Sequence, residues 1–389
     1  NGKIFYTSIT SLSHISKNTG YVFDEEQSNC TNGVTPDWNH STWTFRGNYE
    51  NYNATDYTRT KCNLYFTKTK TVNTVLGYLE VYTYTPDFTK SACDDEACES
   101  HEKGIFETTD DDGTSYYYRG SVENNYVYFA NHYWRIIRIN GDGTIRMIYD
   151  GTVAHPNGES STDRQVGTSA FNSSYNDNMY LGYMYTSGEA HGLGTSSTIK
   201  QANDRFYTSV LSSYVNYIDT NAGFCGDRST LNSQSGVGTG TTSTYMKGYL
   251  RVSTSTPTLS CENQSDLYTV SSSSKGNKAL TYPVGIITAD EVVLSGSSGG
   301  VFDGSYNYQK TASNSYLTTG NTYWTMTPAG YYNSFDFEYW RAYEFYVDVF
   351  GAIDDLGAHG QYGLRPVINI RSNVTVSGLG TMQNPYTIS

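Results

Sequence analysis

Residues 344–355 read Glu344-Phe345-Tyr346-Val347-Asp348-Val349-Phe350-Gly351-Ala352-Ile353-Asp354-Asp355. Successive side chains of a strand point to opposite faces, so this alternation predicts one β-strand. Phe345, Val347, Val349, Gly351 and Ile353 fall on one side and supply what a β core needs. Tyr346, Asp348, Phe350, Ala352 and Asp354 fall on the other. That second set mixes bulky aromatics, acids and a small residue, and suits neither a core nor a plain solvated face. Upstream, Ala329 to Arg341 is rich in aromatics without a period, and downstream Asp355 to Tyr362 reads as a loop. Firmer segments bracket the region, Tyr323 to Pro328 before it and Gly363 to Ile370 after it. Tyr, Trp and Arg dominate binding hot spots, and Tyr-rich loops compose antibody paratopes. Aromatics at off-core positions therefore point to a binding face, against the alternative of an aromatic core with decorated loops.

The whole chain has 389 residues, enough for two domains. It carries 38 Tyr against 25 Lys and Arg, too aromatic for a disordered chain and suited to a β-rich extracellular protein. A formal net charge of −13 argues against nucleic acid as a partner, because a phosphate backbone needs a cationic footprint. No apolar run reaches the 18 or so residues of a membrane span, so contact with a membrane is expected only through an anchor outside this chain. Six cysteines allow fifteen pairings, and their order along the chain favours Cys30–Cys62, Cys93–Cys98 and Cys225–Cys261. Persistent disulfides imply an oxidising compartment.

Residues 1–88 read as a small all-β domain, with Trp38 and Trp43 between Cys30 and Cys62 as aromatics to pack on that bridge. Residues 89–114 read as an acidic connector holding Cys93 and Cys98. From Ser115 onward the signals sharpen into a second domain over residues 115–389. Tyr133 to Ile139 and Ile145 to Tyr149 flank a Gly-bearing turn, a hairpin signature. A helix is expected from about Thr198 with Ser196 or Ser197 as its N-cap, since Ile199, Ala202, Phe206, Val210, Tyr214 and Ile218 recur on one helical face. A shorter helix is expected at Thr288, with Asp290 and Glu291 in its first turn.

These pieces, in this order, resemble a known family. Tyr117-Tyr118-Arg119-Gly120, Tyr133 to Gly143, Gly167 to Asn172, Gly223 to Arg228, Ile287 to Glu291, Tyr323 to Pro328 and Gly363 to Asn369 resemble bacterial surface proteins with a C-type-lectin-like fold of the formylglycine-generating-enzyme type. In particular they resemble the variable proteins of diversity-generating retroelements. The resemblance implies an α+β fold: a C-type-lectin-like domain preceded by a small all-β domain of the Ig-like sandwich kind. In that family a C-terminal block is mutated at adenines of Asn-type codons, and the resulting side chains gather on an exposed ligand-binding face. Applied to residues 329–362, this gives Tyr331, Tyr332, Phe335, Phe337, Arg341, Tyr343, Tyr346, Asp348, Phe350, Ala352, Asp354, Asp355, Gly357, His359 and Tyr362 as ligand-binding candidates. Glu338, Trp340, Glu344 and Gln361 are not products of that process, and Trp324, Pro328, Gly363, Arg365 and Pro366 are assigned to the framework.

Other chemistry is weakly signalled. Cys93, Cys98 and His101 lack a fourth zinc ligand, and a disulfide-tied loop is the preferred reading. Gly296 to Gly300 matches a nucleophile elbow, but no helix signal follows it. His132 reads as a packed or half-exposed strand residue rather than a base. The acidic runs 94–96 and 110–112 lack EF-hand spacing, so no cofactor is expected and only a structural Ca2+ is left open. The expectation is a non-enzymatic, surface-displayed binding protein whose ligand is a protein or another cell-surface molecule. The alternatives are an oxidase of the formylglycine-generating type and a structural, pilus-like subunit.

Overall fold

The computed structural model describes residues 13–14, 21–39, 44–49, 60–92, 102–231, 243–271, 274–297, 315–333 and 340–389. Within them the chain is a mixed α+β protein in which strands far outnumber helices.

The N-terminal part is built from two packed layers. Strands β1 (Tyr21–Cys30), β2 (Val34–Asn39), β3 (Thr44–Tyr49) and β4 (Cys62–Thr74) form two antiparallel pairs, β1 with β4 and β2 with β3. Phe23, Trp38, Phe45, Leu64 and Phe66 fill the space between the pairs, with Trp38 stacked on Phe23 at 4.7 Å. The expected Cys30–Cys62 disulfide packs against this cluster and joins the end of β1 to the start of β4. So small a core gains from such a cross-link, worth about 2–4 kcal/mol. Trp43 and the expected Cys93–Cys98 pair lie outside the described residues.

Strand β4 turns at Val75-Leu76 into β5 (Gly77–Tyr82), which meets β6 (Gly104–Asp110) in parallel through Tyr82 and Phe106. β6 and β7 (Gly113–Arg119) make a hairpin whose turn is Asp111-Asp112. The connector expected up to residue 114 therefore already belongs to the sheet from Gly104 onward. The sheet continues through β8 (Tyr126–Phe129), β9 (His132–Ile139) and β10 (Ile145–Gly151), with β9 between β7 and β8. The hairpin read from Tyr133 to Tyr149 is β9–β10.

Helix α1 (Thr198–Phe206) begins where its cap places it, with the Ser197 side chain accepting the Lys200 N–H, and runs on as a wider π turn over Tyr207–Leu211. α2 (Lys247–Thr254) carries no cap signal and was not legible in the sequence. α3 (Ala289–Leu294) opens with a capping box, in which Thr288 and Glu291 exchange side-chain and backbone bonds. Glu291 is buried, yet Arg146 and Arg138 hold its carboxyl below its ordinary value. The main core runs through Trp134, Ile148, Ile199, Leu211, Val292 and Trp324.

The last quarter of the chain forms a second sheet. β11 (Tyr323–Asn333) pairs antiparallel with β12 (Trp340–Val347), and β12 with β13 (Ile353–Gly357). β14 (Tyr362–Gly363) lies parallel to the start of β11, and β15 (Val367–Ile370) returns to the first sheet beside β10. Arg365 locks this return: its guanidinium donates to the carbonyls of Tyr149 and Leu317 and to Asp150 Oδ1 at 2.8 Å. At Gly363 a Cβ would press on the Thr322 backbone carbonyl oxygen at 2.7 Å as well as on the Gln165 side chain, so only glycine fits. Both residues serve as framework here.

Candidate functional site

The alternation over 344–355 predicts one strand; the structure folds it into a hairpin. β12 ends at Val347 and β13 begins at Ile353. Asp348 makes the turn. Its carboxylate accepts the N–H groups of Phe350 and Ala352, both at 2.8 Å, and Gly351 takes the left-handed conformation at φ +82°. An Asp that bonds its own backbone ahead of a Gly is a turn signal, and it overrides period-2 patterning. The Asp348–Gly351 spacing in the sequence was the clue. Ser297 fastens the turn from below by donating to the Gly351 carbonyl at 2.6 Å.

Two faces result. On one, Tyr346 pairs across with Trp324 and Asp354. Tyr362 packs against Tyr346 at 4.6 Å and against Trp324 at 5.0 Å. Trp324 is buried and donates its indole N–H to the Ser169 carbonyl at 2.8 Å, which fixes the floor under the two half-exposed tyrosines. The Tyr346 hydroxyl donates to Asp354 at 3.3 Å. Burial and the neighbouring Asp354 and Tyr362 push that hydroxyl well above the ordinary tyrosine value.

On the other face, Tyr245, Tyr332 and Tyr343 form a stack of three rings, with centroids 5.0 and 4.4 Å apart and planes within 14°. Tyr332 donates to Asp355 at 2.5 Å, and Tyr249 of α2 closes over Tyr332 and Phe345. Desolvation, and then the Asp355 charge, drive the Tyr332 hydroxyl far up. At the rim, His359 lies on Tyr175 at 4.2 Å, and the Arg341 guanidinium sits 5.6 Å over the same ring. Burial and the Arg341 charge lower the His359 pKa. Gly357 makes room for this, since a Cβ there would meet His359 Cε1 at 2.8 Å.

The expected binding positions thus separate. Arg341, Tyr346, Asp348, Phe350, Asp354, Asp355, His359 and Tyr362 are all within reach of solvent along the hairpin and β14, and Phe350 at the turn is the most open at 58% exposure. Tyr331, Tyr332, Tyr343, Ala352 and Gly357 are buried, which corrects their placement on an exposed face. β11 is covered on both sides, and that is why its tyrosines turn inward. Phe335 and Phe337 lie outside the described residues. Sequence reasoning missed Tyr175, Tyr245 and Tyr249. They come from distant loops and α2, and nothing local marks them among so many tyrosines.

The second disulfide, Cys225–Cys261, is formed and ties Phe224–Cys225 to the loop before the short helix Gln264–Asp266. Two disulfides fit an oxidising compartment. His132 is packed as read, with its ring beside Tyr149 and Phe206. In the acidic turn Asp110 is engaged by Arg138 at 2.7 Å and Asp112 by Lys275 at 2.8 Å, while residues 93–101 lie outside the described part. Among the described residues no group of three or more His, Cys, Asp or Glu is placed to hold a metal, and no helix is long and apolar enough to cross a membrane. Comparison with protein-family models, curated proteins and solved structures finds no match to this chain.

Proposed function

We propose that this is a non-enzymatic binding protein that displays a diversified face on a C-type-lectin-like scaffold, behind an Ig-like β-sandwich, at a bacterial cell surface. The observation that carries this reading is the grouping of eight candidate side chains within solvent reach on one hairpin and the adjoining strand. Behind them stand a buried indole and a stack of three tyrosines, so the hairpin has a rigid backing. Rigid aromatics offer contact area at low entropic cost, and preorganisation of this kind raises affinity. The ligand would be a protein or cell-surface molecule met by Tyr346, Phe350 and Tyr362, with Asp354, Asp355, Arg341 and His359 setting polarity.

A yeast-displayed library tests the proposal. With the codons for Arg341, Tyr346, Phe350, Asp354, His359 and Tyr362 randomised, and Asp348 and Asp355 kept because they hold the turn and Tyr332, most members should still fold, and selection should yield binders to an arbitrary protein such as lysozyme. Collapse of display in most members would contradict it. Consumption of a peptide thiol by the purified protein in the presence of copper would favour the oxidase reading instead.

A further inference from the structure

Glu344 lies in the middle of β12, between Pro328 of β11 and Leu356 of β13. It is 0% exposed, and among the described residues neither carboxyl oxygen has a hydrogen-bond partner. The cation whose field it feels is Arg228, which is committed elsewhere. Arg228 Nε and one Nη donate to Asp266 Oδ1 at 2.9 and 2.7 Å, and the other Nη donates to the carbonyls of Met184 and Gly192. Behind Arg228, His191 also contacts Asp266, at 2.9 Å. Tyr268 is the other titratable group in electrostatic contact, and its hydroxyl accepts the Met184 N–H. The short helix Asn178–Leu181 packed on β12 brings Tyr180, which faces Tyr185, and its cap Asp177, which accepts the Met179 N–H. On the neighbouring strands Tyr331 donates to the Asn176 carbonyl, and Asp354 receives the Tyr346 hydroxyl. None of these groups donates to Glu344.

A carboxylate stranded this way in a low-dielectric interior costs far more than the neutral acid. Desolvation accordingly raises Glu344 well above the ordinary value of 4.5, and the pull of Arg228 does not offset it. We propose that Glu344 is carried as a neutral carboxylic acid and acts as a pH-sensitive latch on the β12–β13 hairpin, whose release loosens the face that the hairpin carries. The folded acid holds its proton over a range where the unfolded chain has lost it. Stability is therefore fully present below the unfolded value and declines as pH rises above it. The latch stands whether or not the face binds a ligand.

The test compares wild type with Glu344→Gln and Glu344→Met between pH 5 and pH 9. Wild type should lose roughly 5 °C or more of thermal midpoint over that range relative to either variant. Amide exchange at residues 342–347 and 353–357 should speed up with pH beyond the intrinsic rate in wild type alone. Parallel midpoints for all three proteins would overturn the latch. Should neither variant fold, wild type labelled with side-chain 13C-glutamate decides by infrared spectroscopy. A protonated carboxyl band persisting at pH 7 supports the proposal, and ionised carboxylates alone refute it.

Discussion

The two faces of the C-terminal sheet use the same residue types for opposite ends. On one, Tyr245, Tyr332 and Tyr343 stack under α2, and two of the three are buried. On the other, Tyr346 and Tyr362 lean on a buried tryptophan and keep one side open to solvent. Tyrosine content therefore says little about binding. What separates a scaffold tyrosine from a contact tyrosine is whether another element covers its face, and that is a property of topology. The side chains open to solvent can change because the covered stack and the buried tryptophan do not.

Substitutions should expose this division as a graded series. Tyr332→Ala removes the middle ring of the stack and should cost about 3–5 kcal/mol in urea unfolding, the range for truncating a large buried aromatic. A loss below about 1 kcal/mol would mean that the stack is not scaffold. Replacing Cys225 and Cys261 together by serine opens a span of 36 residues and should cost about 3–4 kcal/mol. Tyr346→Ala, half-exposed and held by ring contacts, should cost about 1–2 kcal/mol, while a binder selected on the wild-type face should lose most of its affinity. Phe350→Ser at the open turn should fall within about 0.5 kcal/mol of wild type. A large effect there would show that the turn is packed rather than displayed.

The smallest expected effect is a titration. The folded His359 pKa lies below its ordinary 6.5, so the unfolded chain binds that proton more readily. Stability should then decline as pH falls from about 6.5 through the folded value. His359→Asn should flatten that limb when denaturation midpoints are followed between pH 7 and pH 5. An unchanged slope would mean that the ring on Tyr175 is fully solvated.

Local signals carried much of the fold. Ser197 and Thr288 announced their helices, the turn at Asn140 to Gly143 announced β9–β10, and the order of cysteines announced the two disulfides that the described residues contain. The candidate site was only half legible. Alternation assigned inside and outside only over 344–355; Tyr331 and Tyr332 lie in a stretch without a period, and the resemblance that makes them candidates carries no sign that β11 is covered on both faces. The same alternation hid the Asp348 turn, because five residues, Asp348 to Ala352, separate the paired Val347 and Ile353, and an odd number keeps the phase on the return strand. Tyr175 and Tyr245 reach the site across more than 80 residues of chain, a distance at which no local pattern operates.

The division between fixed and exchangeable side chains is tested most directly in the neighbouring DNA, by searching beside a reverse-transcriptase gene for a near-copy of the segment encoding residues 329–370. The expected result is a copy that differs only where it carries adenine, with differences at Arg341, Tyr346, Phe350, Asp354, His359 and Tyr362. A complete locus without such a copy, or differences centred on Tyr332 and Glu344, would contradict it.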